Sequence, residues 1–358
     1  MSDILKKFDS YLTNDGPAAL VIREYLLPVE GPDGVVFPPT FAASEDKTFK
    51  GGFNIDSFGD PNSGKNICLI DSVGSQANRI EPLFASEKYA GLVPQITVKA
   101  GEKIVNILDA GHRAGDAIVR CTSLQKALQD AFKSVQRGNA ERLAKIAPTS
   151  LVFGVWDSRD TQAKLPRLIA STIRAMNVQK LTRSAQFNPA IEYINDGLLE
   201  DTADKAARDE YAKRGFIHVP ASGTPGGIIA GDIRRDATLS LAALRLLNVE
   251  KDKNKTEALR RYILGLALVA FTYRPSSYLR QGCNLVPNPD KPAEFTEVQN
   301  DGHRSEFKLT HDEALAYARA VAKAFGIGES QEVEFDKNLA KQDVAGDETK
   351  PAKPKKTK

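Results

Sequence analysis

The stretch NICLIDSVGSQANRIEPLF, residues 66–84, decides the fold class because it runs from a strand directly into a helix. Residues 66–71 are rich in side chains that favour extended backbone, and they predict a strand. Gly74 then permits a tight turn, and Ser75 stands where a serine would cap the helix that we expect over 75–84.

The polar residues of this helix form the first candidate site. Gln76 and Arg79 lie three residues apart and therefore share a helix face, with Asn78 alongside. Free backbone N–H groups, the Ser75 hydroxyl and an arginine at a helix N-terminus make a good seat for a phosphate. Capping and surface solubility alone would explain the same residues.

Around this unit, strands and helices alternate irregularly along the chain. The apolar patterns predict further strands at 19–27, 95–98, 104–108 and 151–156, and helices at 123–136, 165–176, 203–213, 256–270 and 312–325. Because the strands are short and the connections irregular, an α+β sheet with insertions is favoured over a doubly wound parallel sheet.

Composition predicts how the chain is divided. Residues 1–328 are expected to form a single domain, in which the ten Gly or Pro residues of 31–66 indicate a long, partly extended insertion. The last nine residues, KPAKPKKTK, contain five lysines and no acid. We therefore expect residues 329–358 to be a disordered, lysine-rich tail.

Positive charge is concentrated in one part of the chain. The whole sequence carries a formal charge of only +3, but residues 67–189 contain 17 basic and 10 acidic residues, a net +7. By the same count residues 1–66 carry −4, and the rest of the chain is neutral. A local excess of this kind is typical of a nucleic-acid-binding face, although a solvated basic surface would look the same.

The sequence also indicates a compartment. The three cysteines are far apart and form no Cys-x-x-Cys pair, so neither a disulfide framework nor a zinc site is expected. The N-terminus lacks an apolar signal core, and the longest apolar run, 263–271, is too short to cross a bilayer. We expect a cytoplasmic protein without a membrane partner.

Two further basic stretches follow the first, at 109–120 and 152–189. In the former, two glycines bracket a loop that we expect to place His112 and Arg113 at a sheet edge. In the latter, Arg167 and Arg174 are seven residues apart and would share one face of the helix predicted over 165–176.

The remaining candidates flank a glycine-rich turn. Arg183 and Gln186 lie on an extended segment, and Arg234 and Arg235 follow the glycines of 220–235. This turn predicts a protruding hairpin whose backbone a ligand can approach closely. Arginine suits bidentate contacts to phosphate better than lysine, and arginine predominates among the candidates.

No catalytic, cofactor or metal site is expected. The segment GDPNSGKN, residues 59–66, nearly matches a phosphate-binding loop, but Asn66 replaces the hydroxyl that would bind Mg²⁺ and a strand follows. We interpret it as a hairpin turn. Asp157 flanks an arginine and is expected to be ion-paired rather than catalytic, and Asp109 and Asp116 lack the neighbours that would complete a metal site.

The sequence resembles a known family. The likeness is carried by five blocks in order: SVGSQANRIEPLF (72–84), HRAGDAIVR (112–120), RSAQFNP (183–189), GDIRRDATLSLAALR (231–245) and YLRQGCNLV (278–286). Together they resemble the backbone subunit of type I-G (formerly I-U) CRISPR interference complexes, which belongs to the RAMP superfamily of CRISPR RNA-binding proteins. The likeness extends from about residue 20 to residue 325.

The resemblance implies a modified RRM-like (ferredoxin-like) palm with inserted finger segments and a β-hairpin thumb. Two segments are candidates for the thumb, the region of about 190–235 with its glycine-rich 220–235 stretch and the 31–66 insertion, and the first is favoured. It also implies a non-catalytic scaffold that polymerises head-to-tail along the CRISPR RNA, as the backbone of a Cascade complex for antiviral defence. Target DNA would pair with the guide, and the other partners would be further Cascade subunits and a recruited helicase-nuclease. The guide would be held by its phosphates, in agreement with a site without an aromatic stacking signature.

Two other functions remain open at this stage. The first is a RAMP subunit that cleaves target RNA with a loop aspartate, for which Asp109, Asp116 and Asp157 are the candidates. The second is a general RNA-binding protein with no connection to CRISPR.

Overall fold

The computed structural model describes residues 2–46, 48–59, 63–221 and 225–348. The strands are β1 (Ala19–Pro28), β2 (Thr40–Phe41), β3 (Gly52–Phe53), β4 (Ile55–Ser57), β5 (Asn66–Asp71), β6 (Ile96–Ala100), β7 (Lys103–Asn106), β8 (Val155–Trp156), β9 (Lys164–Leu165), β10 (Ile169–Met176), β11 (Gln179–Thr182), β12 (Ala185–Phe187), β13 (Val219–Ala221), β14 (Pro225–Ile229), β15 (Asp232–Ser240), β16 (Tyr278–Arg280), β17 (Cys283–Pro287), β18 (Glu294–Val298), β19 (Arg304–Glu306) and β20 (Gln331–Glu334). The helices are α1 (Ser2–Lys6), α2 (Val73–Ile80), α3 (Ala117–Arg120), α4 (Gln125–Gln136), α5 (Glu141–Ile146), α6 (Thr149–Phe153), α7 (Lys205–Lys213), α8 (Leu241–Leu244), α9 (Lys253–Thr272), α10 (His311–Phe325) and α11 (Lys337–Glu348).

The main sheet is antiparallel and has a ferredoxin-like centre. Its strand order is β16-β17-β1-β15-β10-β5-β4, and β18 also pairs with β1. The chain runs from β1 through α2–α6 to β10, then to β15, and through α9 to β17 and β18. This is the order strand–helix–strand–strand–helix–strand, with the last strand beside the first and the third beside both the first and second. The expected α+β, RRM-like palm is confirmed.

The face of this sheet that packs against the helices contains two apolar clusters with a polar layer between them. Along β1, Leu20 and Ile22 belong to the first cluster and Leu26 to the second, with Glu24 buried between them. The strict alternation of more and less buried residues along β1 follows from the two-residue period of a strand. Arg235 on β15 lies opposite Glu24 and is bonded to it.

A two-stranded ribbon extends the central hairpin beyond the sheet. β10 continues into β11 and β12, which pair with β14 and β13, and a segment that includes α7 closes the far end. This ribbon is the thumb candidate. The prediction of a hairpin turn at the glycines of 220–235 is wrong, because strand β14 of the ribbon lies there. Gly226 and Gly227 lie inside β14. A Cβ atom at Gly226 would lie 2.5 Å from the Thr182 carbonyl oxygen, and one at Gly227 would lie 2.5 Å from the Val35 side chain.

Two predicted elements are wrong. Residues 169–176 form a central strand instead of a helix, because Ile169, Ser171, Ile173 and Ala175 alternate into the buried face. A helix was predicted from Leu168, Ile169 and Ile173, whose spacing also fits a helical face. The strand predicted over 151–156 is mostly α6, followed by the short β8.

The C-terminal segment is structured well past residue 328, which corrects the prediction of a disordered tail. β20 pairs in parallel with β6, and Arg120 donates a hydrogen bond of 2.6 Å to Asp343 on α11. Residues 349–358, which include the lysine-rich end, lie outside the described residues. Among the helices in the described ranges, none is long and apolar enough to cross a membrane.

Candidate nucleic-acid interface

Helix α2 is capped one turn earlier than the sequence predicts. The Ser72 side chain accepts a hydrogen bond of 3.2 Å from the backbone N–H of Ser75, so Ser72 is the N-cap and Ser75 lies within the first turn. α2 packs on β10, which fixes an inner and an outer side for its polar residues.

The inner side of α2 is part of the polar layer. Gln76 is 1% exposed, donates a hydrogen bond of 2.7 Å to Asp71 and accepts one of 2.9 Å from Ser171. Arg79 and Arg280 each donate a bond of 3.0 Å to the same fully buried Asp71 carboxylate. Arg79 also donates to the Leu279 carbonyl, so the structure uses Gln76 and Arg79 internally.

The outer side of α2 carries Ser75 and Asn78, three residues apart. Asn78 is exposed, and its side-chain oxygen accepts a hydrogen bond of 3.4 Å from the Arg113 guanidinium. This contact joins α2 to the loop that precedes α3.

Arg113 is a buried clamp between three segments. It is 4% exposed, forms an ion pair with the 1% exposed Glu81, and donates a hydrogen bond of 3.3 Å to the Gly154 carbonyl. Its backbone has φ of 52°, a strained value for a residue with a side chain. Burial raises the pKa of the Glu81 carboxyl, and the Arg113 charge opposes that rise. His112, the preceding residue, stays exposed.

A short hairpin beside this clamp presents an aromatic ring. Trp156 on β8 is 58% exposed and lies opposite Lys164 on β9, whose ammonium is 5.6 Å from the ring centroid. Gly154, which has φ of +75°, begins the hairpin, and a Cβ atom there would lie 2.7 Å from the Arg167 side chain.

Arg167 is an exposed cation without a counter-charge in the described part of the chain. It has no hydrogen-bond or ion-pair partner among the described residues, while its backbone is fixed by the bond from the Leu168 N–H to the Val152 carbonyl. Partial burial and the nearby Arg113 charge lower the pKa of Arg167. We define the α2–β8 surface as Ser75, Asn78, His112, Trp156, Lys164 and Arg167.

The other predicted site residues lie elsewhere. Arg174 and Arg234 are cross-strand neighbours on the face of the sheet opposite the helices, bonded at 2.7 Å to Thr172 and at 2.9 Å to Asp236. Arg235 points the other way and is buried against Glu24.

The last two candidates are exposed on the ribbon. Arg183 lies between β11 and β12, and Gln186 on β12 contacts His218 at 3.5 Å. The structure therefore divides the predicted site among the α2–β8 surface, the open sheet face and the ribbon, and it buries Gln76, Arg113 and Arg235.

The three candidate aspartates have different environments. Asp157 is 3% exposed and accepts bonds from the Thr161 backbone and hydroxyl, at 2.8 and 2.6 Å. Asp116 caps α3, and Asp109 is exposed. Within the described ranges, no three His, Cys, Asp or Glu side chains are grouped so that they could hold a metal ion.

The near-match to a phosphate loop joins two antiparallel strands. β4 pairs with β5 on either side of GDPNSGKN, as a hairpin requires, although residues 60–62 lie outside the described part of the chain.

Sequence reasoning missed Trp156 and Lys164. Trp156 is the only tryptophan in the chain, and it is the last residue of the strand predicted over 151–156. The available signal was the pair of glycine and tryptophan in VFGVWDS, because a glycine before a short strand marks a sharp change of direction.

Part of the chain matches a known protein family. Residues 20–180 are similar to a family described as CRISPR-associated protein GSU0053, and the matched stretch begins in β1 and ends in β11. It contains the whole α2–β8 surface. This similarity supports a CRISPR-associated role. No curated protein matches the chain.

Proposed function

We propose that this protein is a non-catalytic RNA-binding scaffold of a CRISPR interference complex. In this proposal it is the RAMP-type backbone subunit of a type I-G Cascade, copies of which line up head-to-tail along the guide RNA in the cytoplasm. The observation that carries the proposal is the α2–β8 surface, where Arg167 and Lys164 present positive charge and form no ion pair with a carboxylate of the described residues. The match to a CRISPR-associated family supports the choice of ligand.

The geometry favours recognition of the RNA backbone. The polar groups of the surface are a hydroxyl, an amide, an imidazole and two cations, held by a buried frame of Arg113, Glu81 and Asp71. Such groups suit phosphate and ribose oxygens, which are the same in every sequence. A guide held in this way keeps its bases free for target DNA, as the partner proposal requires.

The ribbon is suited to the role of thumb. It projects from the central β10–β15 hairpin, and α7 near its tip buries none of its described residues. An element of this kind can reach a neighbouring copy or divide a bound strand into segments. Copies joined by unlike surfaces form an open filament, as a guide-length backbone needs.

Binding of the full-length protein to RNAs of equal length and unrelated spacer sequence tests the proposal. We expect equal affinities and a steep salt dependence. Arg167→Ala should weaken binding equally for every spacer and reduce the slope of log K against log salt by roughly 0.7 for one lost phosphate contact. Arg137→Ala, which removes another exposed arginine at the end of α4, is the charge-matched control and should leave the slope unchanged.

Two results would contradict the proposal. Affinity that depends on the spacer would show that the protein reads bases. Metal-dependent cleavage of bound RNA that is lost in Asp109→Ala would make the protein a nuclease, since Asp109 is the exposed one of the three candidate aspartates.

A further inference from the structure

Trp156 is an exposed aromatic ring on a rigid support. The hairpin that carries it is closed by the pairs Val155–Leu165 and Trp156–Lys164 and by a hydrogen bond of 2.8 Å from the Asp157 N–H to the Ala163 carbonyl. Val155 and Ala163 are buried, so the hairpin cannot rotate to bury the indole instead. The exposure of Trp156, 58%, therefore follows from the way the hairpin is anchored.

The carboxylates of the two acidic residues that follow Trp156 accept hydrogen bonds within the protein. The Asp157 carboxylate is buried and accepts hydrogen bonds from Thr161 and from the Asp160 backbone, which closes the loop. Asp160 accepts a bond of 3.0 Å from the Gln129 amide. Two cations lie at this hairpin: the Lys164 ammonium is over the ring, and the Arg167 side chain is beside Gly154.

An aromatic ring flanked by cations is the common way in which proteins bind single-stranded nucleic acid. Bases stack on the ring while cations hold the adjoining phosphates, and the stacking is tolerant of sequence because every base has a π face. The core of a protein-docking site would instead be expected to be depleted of charged residues such as lysine. The other residues of the α2–β8 surface are polar, and one of them, Lys164, lies against the ring itself.

We propose that Trp156 stacks on an unpaired base of the bound RNA, with Lys164 and Arg167 on the phosphates beside it. This inference rests on the proposed RNA-binding function and adds to it a base-stacking position. It replaces the expectation of a site without an aromatic platform, and it is compatible with binding to any spacer. One ring per subunit would hold one base at each repeat of the filament.

The single tryptophan makes a direct test feasible. Selective excitation of tryptophan in the full-length protein reports Trp156 alone. We expect an unstructured single-stranded RNA to quench this fluorescence, with the dissociation constant that anisotropy of the labelled RNA gives independently. The corresponding RNA duplex should quench far less, because its bases are already stacked.

Substitutions separate stacking from apolar contact. Trp156→Ala should weaken single-strand binding by roughly 5- to 150-fold, the equivalent of one lost base stack. Trp156→Phe should keep most of the affinity, whereas Trp156→Leu should behave like the alanine variant. Leu246→Ala removes an apolar side chain that is 72% exposed away from this surface, and it should bind as the wild type does. Thermal unfolding of each variant shows whether it is folded.

The outcomes distinguish the inference from the function on which it rests. If the wild type binds RNA but its fluorescence does not change and Trp156→Ala binds equally well, the inference is wrong and the scaffold function stands. If Trp156→Ala keeps its RNA affinity and loses a companion subunit, the ring is a protein contact and the inference is also wrong. A wild type that binds no RNA by anisotropy overturns both.

Discussion

At the scale of single residues, the arginines around α2 have two different roles that their sequence positions do not reveal. Arg79 and Arg280 are bonded to the buried Asp71, and Arg113 is bonded to the buried Glu81. Arg167 is exposed and has no partner in the described part of the chain. The first group fixes the frame, and only the last has its charge available to a polyanion.

A substitution of Asp71 tests the role of the frame. Asp71→Asn keeps the shape of the side chain but leaves two guanidinium groups without a counter-charge. We expect the free energy of unfolding, measured by urea titration, to fall by about 3 kcal/mol. This is the lower end of the range for removal of one partner of a buried ion pair, because both arginines are partly exposed. Asp109→Asn, at an exposed position, is the control and should change stability by less than about 0.5 kcal/mol. A similarly small loss for Asp71→Asn would show that the layer is not a structural frame.

At the scale of elements, β20 and α11 return the end of the chain to the region of the candidate site. β20 lies on β6, and the Asp336 N–H donates a hydrogen bond of 2.8 Å to the Cys121 carbonyl at the end of α3. The pair of Arg120 and Asp343 ties α3 to α11. α3 directly follows the loop of His112 and Arg113, so the C-terminal segment supports that loop from behind.

Truncation at two points tests this support. Removal of residues 329–358 takes away β20 and α11, exposes the edge of β6, and should lower the unfolding temperature and promote aggregation. Removal of residues 349–358 alone spares every bond described for this segment and should leave the unfolding temperature unchanged. Equal behaviour of the two truncated proteins, followed by thermal unfolding and light scattering, would contradict a structural role for β20 and α11.

The sequence predicts an element well when its apolar residues follow only the strand repeat or only the helix repeat. It predicts an element poorly when the same apolar residues fit both repeats. β1, β5, α9 and α10 were predicted closely because their alternation or helical spacing is unambiguous. β10 was predicted as a helix because its apolar residues also fit a helical face, and the strand wins through pairing with β15 on one side and β5 on the other. That pairing is a tertiary effect that a local pattern cannot contain.

The candidate site shows the same limit. Asn78, His112 and Arg167 were predicted and lie on the α2–β8 surface, because polar residues next to short apolar runs usually stay near the surface. Gln76 and Arg235 were predicted and are buried, since a sequence does not show which side of an element faces a polar layer. The layer itself depends on contacts between residues far apart in the chain, such as Glu24 with Arg235.

At the scale of the whole molecule, a ferredoxin-like palm holds a cationic surface with one aromatic ring and extends a ribbon from its central hairpin. The family similarity covers the palm strands β1, β5 and β10 and the α2–β8 surface, and it stops at the base of the ribbon. In the function that we propose, each copy would hold one segment of the RNA with its palm and reach the next copy with its ribbon.

Co-expression with a repeat-spacer array and the companion genes tests the central claim most directly. The protein would be purified through a tag, and the size of the nucleic acid and the mass of the particle would be measured. Our account predicts a discrete RNA of repeat-plus-spacer length on a particle that contains several copies of this chain. A monomer free of nucleic acid, purified together with no companion subunit, would contradict it.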